Sequence, residues 1–307
     1  MKKLLFIINP TAGKGRAGND LFSMIDTFTK AGYDTVVHPI QDYEMIVDLV
    51  REVGRDYDMI VCAGGDGTLD KTATGYMQLV EETGKDIKLG YIPCGSTNDY
   101  AKSLGISQIP EKAAEQIAGG RPIPIDMGCI NGRPFIYIAA FGLFTNASYA
   151  TPQNLKNALG HSAYIMQGMK ELSNIKVYNI EADFDGRSVT GEYIYGQVSS
   201  TKSVAGFMLA VNKAPIFNDG LFECLLIKKP KTPDELGRLF NSLLTGDIDN
   251  ELIYMETAKS IKIKSSEPLS WTIDGEFGGE ISEAKIDVLY RKISLMLTST
   301  KGFIDID

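Results

Sequence analysis

Residues 60–69 read Ile-Val-Cys-Ala-Gly-Gly-Asp-Gly-Thr-Leu. An apolar run from Met59 to Ala63 leads into Gly64-Gly65-Asp66-Gly67-Thr68, and helical spacing follows from Leu69 to about Val80. Strand, glycine turn and helix is the layout of a phosphate-binding site. Glycines at 64, 65 and 67 can take φ > 0 and let the backbone approach a ligand closely. The amides of the turn and of the helix N-terminus then face an anion. Asp66 repels a phosphate, so a carboxylate there points to a magnesium ion or a positioned hydroxyl. A plain βα turn, with glycines kept for packing, is the competing reading.

Two further strands end in the same way. Leu4–Ile8 is a continuous apolar run, as in a parallel sheet covered on both faces, and it runs into Asn9-Pro10-Thr11-Ala12-Gly13-Lys14-Gly15-Arg16. The Walker pattern GxxxxGK[ST] is absent; Lys14 and Arg16 either offset phosphate charge or are solvated loop cations. Lys88–Ile92 runs into Pro93-Cys94-Gly95-Ser96-Thr97-Asn98-Asp99, where Ser96, Thr97 or Asn98 could also cap a short helix through Leu104. Between these strands, Leu21, Met24, Ile25 and Phe28 have helical spacing, Asp34–His38 reads as a strand and Tyr43 to Val53 as a helix. Polar loops after parallel strands gather at the carboxyl edge of the sheet, where ligands bind. Alternating segments to about residue 120 make this half a Rossmann-like α/β domain.

The pattern changes near Arg121-Pro122-Ile123-Pro124-Ile125-Asp126. Strands predominate from there, with Asn131-Gly132 and Asp185-Gly186 as hairpin turns. The expectation is α/β plus all-β: a nucleotide-binding domain over 1–125 and an antiparallel β-sandwich over 126–307, with about 295–307 packing back on the first domain. Two helices, about 153–173 and 232–244, interrupt the strands.

The chain has 307 residues, 44% hydrophobic and 23% charged, so it is globular. Its 31 basic and 39 acidic residues give a net charge of −8. That excludes general nucleic-acid binding, which rests on phosphate neutralisation, and repels anionic membranes unless a local basic face compensates. Cys62, Cys94, Cys129 and Cys224 are widely spaced, without a CxxC or Cys/His cluster; they read as reduced core thiols in a cytoplasmic protein. The apolar start stops after five residues at Asn9-Pro10, too short for a signal-peptide core, and no run reaches the length of a membrane span.

Asn9-Pro10-Thr11-Ala12-Gly13, Gly64-Gly65-Asp66-Gly67-Thr68, Pro93-Cys94-Gly95-Ser96-Thr97-Asn98-Asp99 and Asp274-Gly275-Glu276 occur in this order. Together they resemble the diacylglycerol kinase catalytic family, which includes bacterial lipid kinases and sphingosine kinases. The resemblance implies ATP-dependent phosphorylation of a lipid hydroxyl, with diacylglycerol as first-choice acceptor. It implies an ATP site made from Asn9, Pro10, Thr11, Ala12, Gly13, Lys14, Arg16, Gly64, Gly65, Gly67, Thr68, Leu69, Ser96, Thr97 and Asn98. Such transfer needs charge neutralisation and in-line placement more than covalent help. It also needs a base worth about 10²–10⁴ in rate. The resemblance points to Glu276, with Asp274 as its partner or substitute; in some sphingosine kinases the aspartate equivalent to Asp66 takes that role. Asp219 and the Leu221 carbonyl resemble the family's magnesium site in the second domain, although Asn218-Asp219-Gly220-Leu221 is also a turn signal and Ile216-Phe217 supply no upstream acid. Asp126 matches an acid that joins the metal network, and Asp66 reaches Mg²⁺ directly or through water.

Gln41 stands where relatives carry a nucleotide-touching Thr, and His38 and His161 have no partner motif. On the lipid side, Leu155, Leu159, Tyr164, Ile165, Met166, Met169 and Leu172 on the 153–173 helix either line an acyl-chain surface or pack on the sandwich. Lys262 and Lys264, with Lys228, Lys229 and Lys231, either meet anionic headgroups or form solvated faces. The expected partner is a lipid substrate reached by peripheral contact at the inner face of the membrane, with no nucleic acid; a homodimer is left open. The alternatives are an NAD kinase-type phosphotransferase and a non-catalytic lipid- or nucleotide-binding module. A dehydrogenase fits less well: Gly13-Lys14-Gly15-Arg16-Ala17-Gly18 has the spacing, but no acid ends strand 2.

Overall fold

The computed structural model describes residues 1–12, 16–95, 98–143, 176–200, 203–204, 207–208, 216–245, 248 and 251–305. The first half alternates as its periodicity requires. Strand β1 (Lys2–Ile8) is followed by helices α1 (Arg16–Asn19) and α2 (Leu21–Lys30), β2 (Tyr33–Pro39), α3 (Ile46–Val53) and β3 (Met59–Gly64). Then come α4 (Asp66–Thr83), β4 (Lys88–Pro93), α5 (Asp99–Ser103) and α6 (Pro110–Gly119). β2, β1, β3 and β4 lie side by side and parallel, in that order. β1 and β3 are buried over the residues that read as apolar runs: Leu4–Ile8 and Met59–Ala63 are at most 3% exposed. This is the pattern of strands covered on both faces.

From residue 121 antiparallel strands take over: β5 (Arg121–Ile130), β6 (Arg133–Phe135), β7 (Ile138–Gly142), β8 (Tyr178–Phe184) and β9 (Arg187–Ser199). They are followed by the two-residue β10 (Ser203–Val204) and β11 (Phe207–Met208), β12 (Phe222–Lys228), helix α7 (Pro233–Thr245), β13 (Ile253–Ala258), β14 (Ser260–Ile273) and β15 (Glu276–Leu297). The Asn131-Gly132 and Asp185-Gly186 turns join β5 to β6 and β8 to β9, with φ of 48° and 87°, and 51° and 87°. Positive φ at both turn residues is what a two-residue hairpin needs.

The fold is therefore mixed α/β with many strands, and one strand ties its two halves together. β15 pairs with β14 along its first part; near its end Leu295 pairs with Leu89 of β4, parallel, which adds β15 to the first sheet. β5 runs antiparallel beside its second half, from Ile286 to Leu297. The expected division at 125/126 falls inside β5. One core lies around the parallel sheet and also takes Ile123, Ile125 and Met127 of β5 with Ile293 and Leu295 of β15. A second gathers Phe135, Phe141, Phe184, Phe222, Ile261 and Trp271. The 153–173 helix and its apolar residues lie outside the described residues. Among the described residues, no helix is long and apolar enough to cross a membrane.

Candidate active site

The three polar loops meet as their shared position after parallel strands requires. Asn9 Nδ2 donates to Thr68 Oγ1 at 3.3 Å, and the Cys94 amide donates to the Gly64 carbonyl at 2.7 Å. Asn9 Oδ1 accepts from the Thr11 amide at 3.1 Å and its hydroxyl at 2.9 Å, which folds the first loop back on itself and leaves Pro10 and Thr11 exposed. Thr68 and Leu69 are buried, so they shape the turn from beneath rather than present a ligand group. Asn98 sits at the N-cap of α5 with φ 50°; its Nδ2 donates to the Gly95 carbonyl at 3.0 Å, and no side-chain cap bond forms. Gly13, Lys14, Ser96 and Thr97 lie outside the described residues, and Arg16 opens α1.

The glycines act through space rather than through backbone conformation. Gly64, Gly65 and Gly67 all have ordinary negative-side φ, contrary to the sequence expectation. A methyl on Gly95 would lie 2.6 Å from the Gly65 Cα, so the second and third loops pack backbone on backbone. A methyl on Gly67 would collide with the Tyr43 hydroxyl and lie 3.0 Å from Glu276 Oε1. α4 begins at Asp66 itself, earlier than the apolar spacing indicated. The turn amides thus become the free first-turn donors of an 18-residue helix, an anion-attracting end.

Glu276 arrives beside Gly67 from 209 residues along the chain. Asp274 and Gly275, with φ of 47° and 86°, form the two-residue turn from β14 to β15, and Ile273 pairs with Glu276. Asp274, 3% exposed, accepts the amides of Ile136 (2.5 Å), Tyr137 (3.1 Å) and Ile138 (2.9 Å). Those bonds fasten the turn to the β6–β7 connection and occupy Asp274. Glu276 is half-buried and accepts only one described donor, the Tyr43 hydroxyl at 2.6 Å on Oε1. Lys71 lies 4.8 Å from the Tyr43 ring centre and pairs with Glu44 at 2.8 Å, which braces Tyr43 from outside. Of the two acids, Glu276 keeps an oxygen for a proton; Asp274 holds the turn.

Asp66 accepts the Asp99 amide at 3.2 Å and lies 3.4 Å from the Tyr91 hydroxyl. Burial pushes its carboxyl up to about 6; the Asp99 amide opposes this, while the charges of Asp99 and Asp274 add to it. Asp70, one turn further on α4, is driven well above the carboxylate range by burial and then by Asp274, with Arg133 pulling the other way. Acidic groups converge here with little cationic balance. Hard oxygen donors in excess negative charge suit Mg²⁺, so Asp66 fits the implied ion.

The second-domain metal set does not assemble. Asp126, 1% exposed, spends one oxygen on the Gly220 amide (2.6 Å) and the other on the Arg291 amide (2.7 Å). Asp219 Oδ1 accepts the Leu221 amide at 3.0 Å, a local turn. Arg291, at φ 50° in the bulge of β15, sends Nε to the Asn218 carbonyl and Nη2 to the Ile304 carbonyl, both at 3.3 Å. What remains is one carboxylate and the Leu221 carbonyl, a thin share of a six-oxygen shell. Among the described residues no group of three or more His, Cys, Asp or Glu side chains is placed to hold a metal. The β14 lysines also spend their charge locally: Lys264 pairs with Glu283 at 3.2 Å, and Lys262 lies near Asp183 and Asp287.

Tyr43, Asp70 and Arg133 were not singled out from the sequence. Asp70 had a signal, since four residues after Asp66 is the same helix face. Tyr43 and Arg133 had none, because only tertiary folding brings them to the turn.

Residues 3–130 match the family model described as the diacylglycerol kinase catalytic domain, and residues 140–296 the one described as YegS C-terminal NAD kinase beta sandwich-like domain. The chain is 33% identical to a diacylglycerol kinase of Bacillus subtilis (strain 168), over 98% of each chain. It is 33% identical to a diacylglycerol kinase of Staphylococcus carnosus (strain TM300), over 91% of this chain and 90% of that one. The crystal structure of a diacylglycerol kinase from Bacillus anthracis str. Sterne superposes with a TM-score of 0.74 at 20% identity, covering 97% of this chain and 98% of the other, which bears on the fold alone.

Proposed function

The chain belongs to the diacylglycerol kinase family, and from that premise we propose that it is an ATP-dependent lipid kinase. It transfers the γ-phosphate to a lipid hydroxyl, with diacylglycerol as acceptor and phosphatidic acid as product. The observation that carries this reading is the seat of Glu276 against Gly67, which puts an available carboxylate over the first turn of α4.

In this reading the Gly64–Thr68 turn and the Asn9 and Gly95 loops bind the nucleotide phosphates, and Lys14, Arg16, Ser96 and Thr97 are assigned to the same task from the sequence alone. Asp66 holds Mg²⁺, which when bound offsets phosphate charge. Glu276 accepts the proton of the acceptor hydroxyl as that oxygen attacks the γ-phosphorus in line, the bond from the γ-phosphorus to the β,γ-bridging oxygen breaks, and ADP leaves. Asp274 fixes the turn, so Glu276 is presented at constant geometry. The parallel α/β half forms the nucleotide domain, and the antiparallel half, which begins within β5, carries Glu276. Phe277 follows Glu276 and is 67% exposed; Met45, beside Tyr43, is 61% exposed. Exposed apolar side chains so near Glu276 and Tyr43 in the sequence suit an acceptor whose hydroxyl sits on an acyl-bearing body, met by a cytoplasmic protein at the membrane face.

The test is incubation with γ-labelled ATP and Mg²⁺ in the presence of diacylglycerol micelles, a sphingoid base or NAD. Label in phosphatidic acid is expected. Label in NAD alone would replace this reading with a soluble phosphotransferase, and nucleotide binding without transfer to any acceptor would replace it with a binding module.

A further inference from the structure

Asp70 is a buried acid for which the transfer step has no use. It is 7% exposed, and its Oδ1 has no donor among the described residues. Its carboxyl group lies close enough to that of Asp274 for each to act on the charge of the other. Two ionised carboxylates in contact and out of water repel each other, so a single proton belongs between them. The donors decide which acid carries it. Asp274 already receives three backbone N–H groups, which favour its ionised form. Asp70 receives none at Oδ1.

We propose that Asp70 is a neutral carboxylic acid that donates a hydrogen bond to Asp274, and that it is thereby a positioning residue for the turn carrying Glu276. The bond ties that turn to α4, the helix that starts with Asp66. Base and nucleotide turn then share one rigid support. The charged groups that act on Asp70 are Asp274 and Glu276 from the β14–β15 turn and Arg133 from β6. The first two hold the proton in place and Arg133 works against it. Burial and the Asp274 charge, which raise Asp70 well above the usual range, agree with this placement.

The proposal rests on the kinase reading only for its kinetic arm, so it is tested first without activity. Infrared difference spectra of the whole protein at about pH 8, above the Asp66 midpoint, should contain the carbonyl stretch of a protonated carboxyl group. Asp70→Asn should lose that band. Absence of the band in the wild type, or its persistence in Asp70→Asn, overturns the proposal. In the kinetic arm, Asp70→Asn keeps a donor of the same shape and lowers kcat less than about tenfold, whereas Asp70→Ala lowers it by about a hundredfold with the KM for ATP little changed. Equal losses in the two variants, with both folded by circular dichroism, would mean that Asp70 acts through a negative charge and would overturn the donor role. Asp70→Asn is near-isosteric, so a folding failure of Asp70→Ala leaves the infrared result to decide.

Discussion

Two corners of the molecule bury aspartates, and they treat them differently. At the Asp126 corner each carboxylate oxygen has its own amide, from Gly220 and Arg291, and the Arg291 guanidinium ties Asn218 to the tail at Ile304. In the cleft, Asp66 has one amide at 3.2 Å and a distant hydroxyl, Asp70 leaves an oxygen without a donor, and Glu276 has a single described partner. Burial raises Asp66 and Asp70 in the one place and Asp126 in the other. Only at Asp126 do two short amide bonds and a nearby cation answer it. Satisfied buried acids hold a structure together; under-satisfied ones cost stability and persist where a ligand or a proton completes them. Asp274 belongs with Asp126 by its bonding, although it stands in the cleft.

That assignment can be broken most severely at Asp274. Asp274→Ala leaves the buried Ile136 amide and the part-buried Tyr137 and Ile138 amides without this acceptor, at about 1–3 kcal/mol for the buried one and less for the others. Denaturant unfolding should register a loss of about 3 kcal/mol, and phosphoryl transfer should fall below detection. A stable, active Asp274→Ala would move Asp274 out of the structural class. Next in size is Gly67→Ala. Its methyl collides with the Tyr43 hydroxyl and crowds Glu276, so kcat should drop by about tenfold or more at nearly unchanged stability; adding Tyr43→Phe should recover part of the loss if the clash is the cause.

The third prediction uses pH. Asp66 titrates near 6 in the folded protein against an ordinary 3.8. Because its folded midpoint is raised, the group favours the folded state fully below about 3.8, and that advantage is lost as pH rises through 6. Without ligands, Asp66→Asn should therefore stabilise the protein by about 2 kcal/mol at pH 8 and by nearly nothing at pH 4. Binding of Mg²⁺·ATP to the wild type should weaken below about pH 6 and be largely lost in the variant. An Asp66→Asn protein that is less stable at pH 8 would place Asp66 with Asp126. The smallest effect is expected at Arg291→Met, which loses two carbonyl contacts and should cost about 1–2 kcal/mol with kcat within about threefold. A large gain in Mg²⁺-dependent thermal stability in that variant would instead mark the corner as a metal site that Arg291 suppresses.

Much of the frame was legible because it rests on local rules. Apolar runs ending in small polar residues announced β1, β3 and β4, and Asn-Gly and Asp-Gly placed two hairpins. The late Asp274-Gly275-Glu276 was readable as a turn with two acids. Which acid is free was not readable, because it depends on three amides from 136–138 that only the folded chain brings into reach. The glycines of the opening stretch were legible as a close approach, but what approaches is partly protein: Gly95, Tyr43 and Glu276. In the sequence, Ile286–Tyr290 and Ile293–Thr298 read as two short strands, since the break at Arg291 interrupts the alternation of β15. A bulge inside one long strand, which joins both sheets, leaves the same trace in sequence as a loop.

The central claim is that Glu276 is the available base of a lipid kinase, and it is tested most directly by Glu276→Gln. Amide for carboxylate keeps the shape and the Tyr43 contact while removing the proton acceptor. Single-turnover transfer from ATP to diacylglycerol should fall by about 10²–10⁴, while ATP affinity, measured by calorimetry, stays within about threefold. Transfer at the wild-type rate in Glu276→Gln would contradict the account.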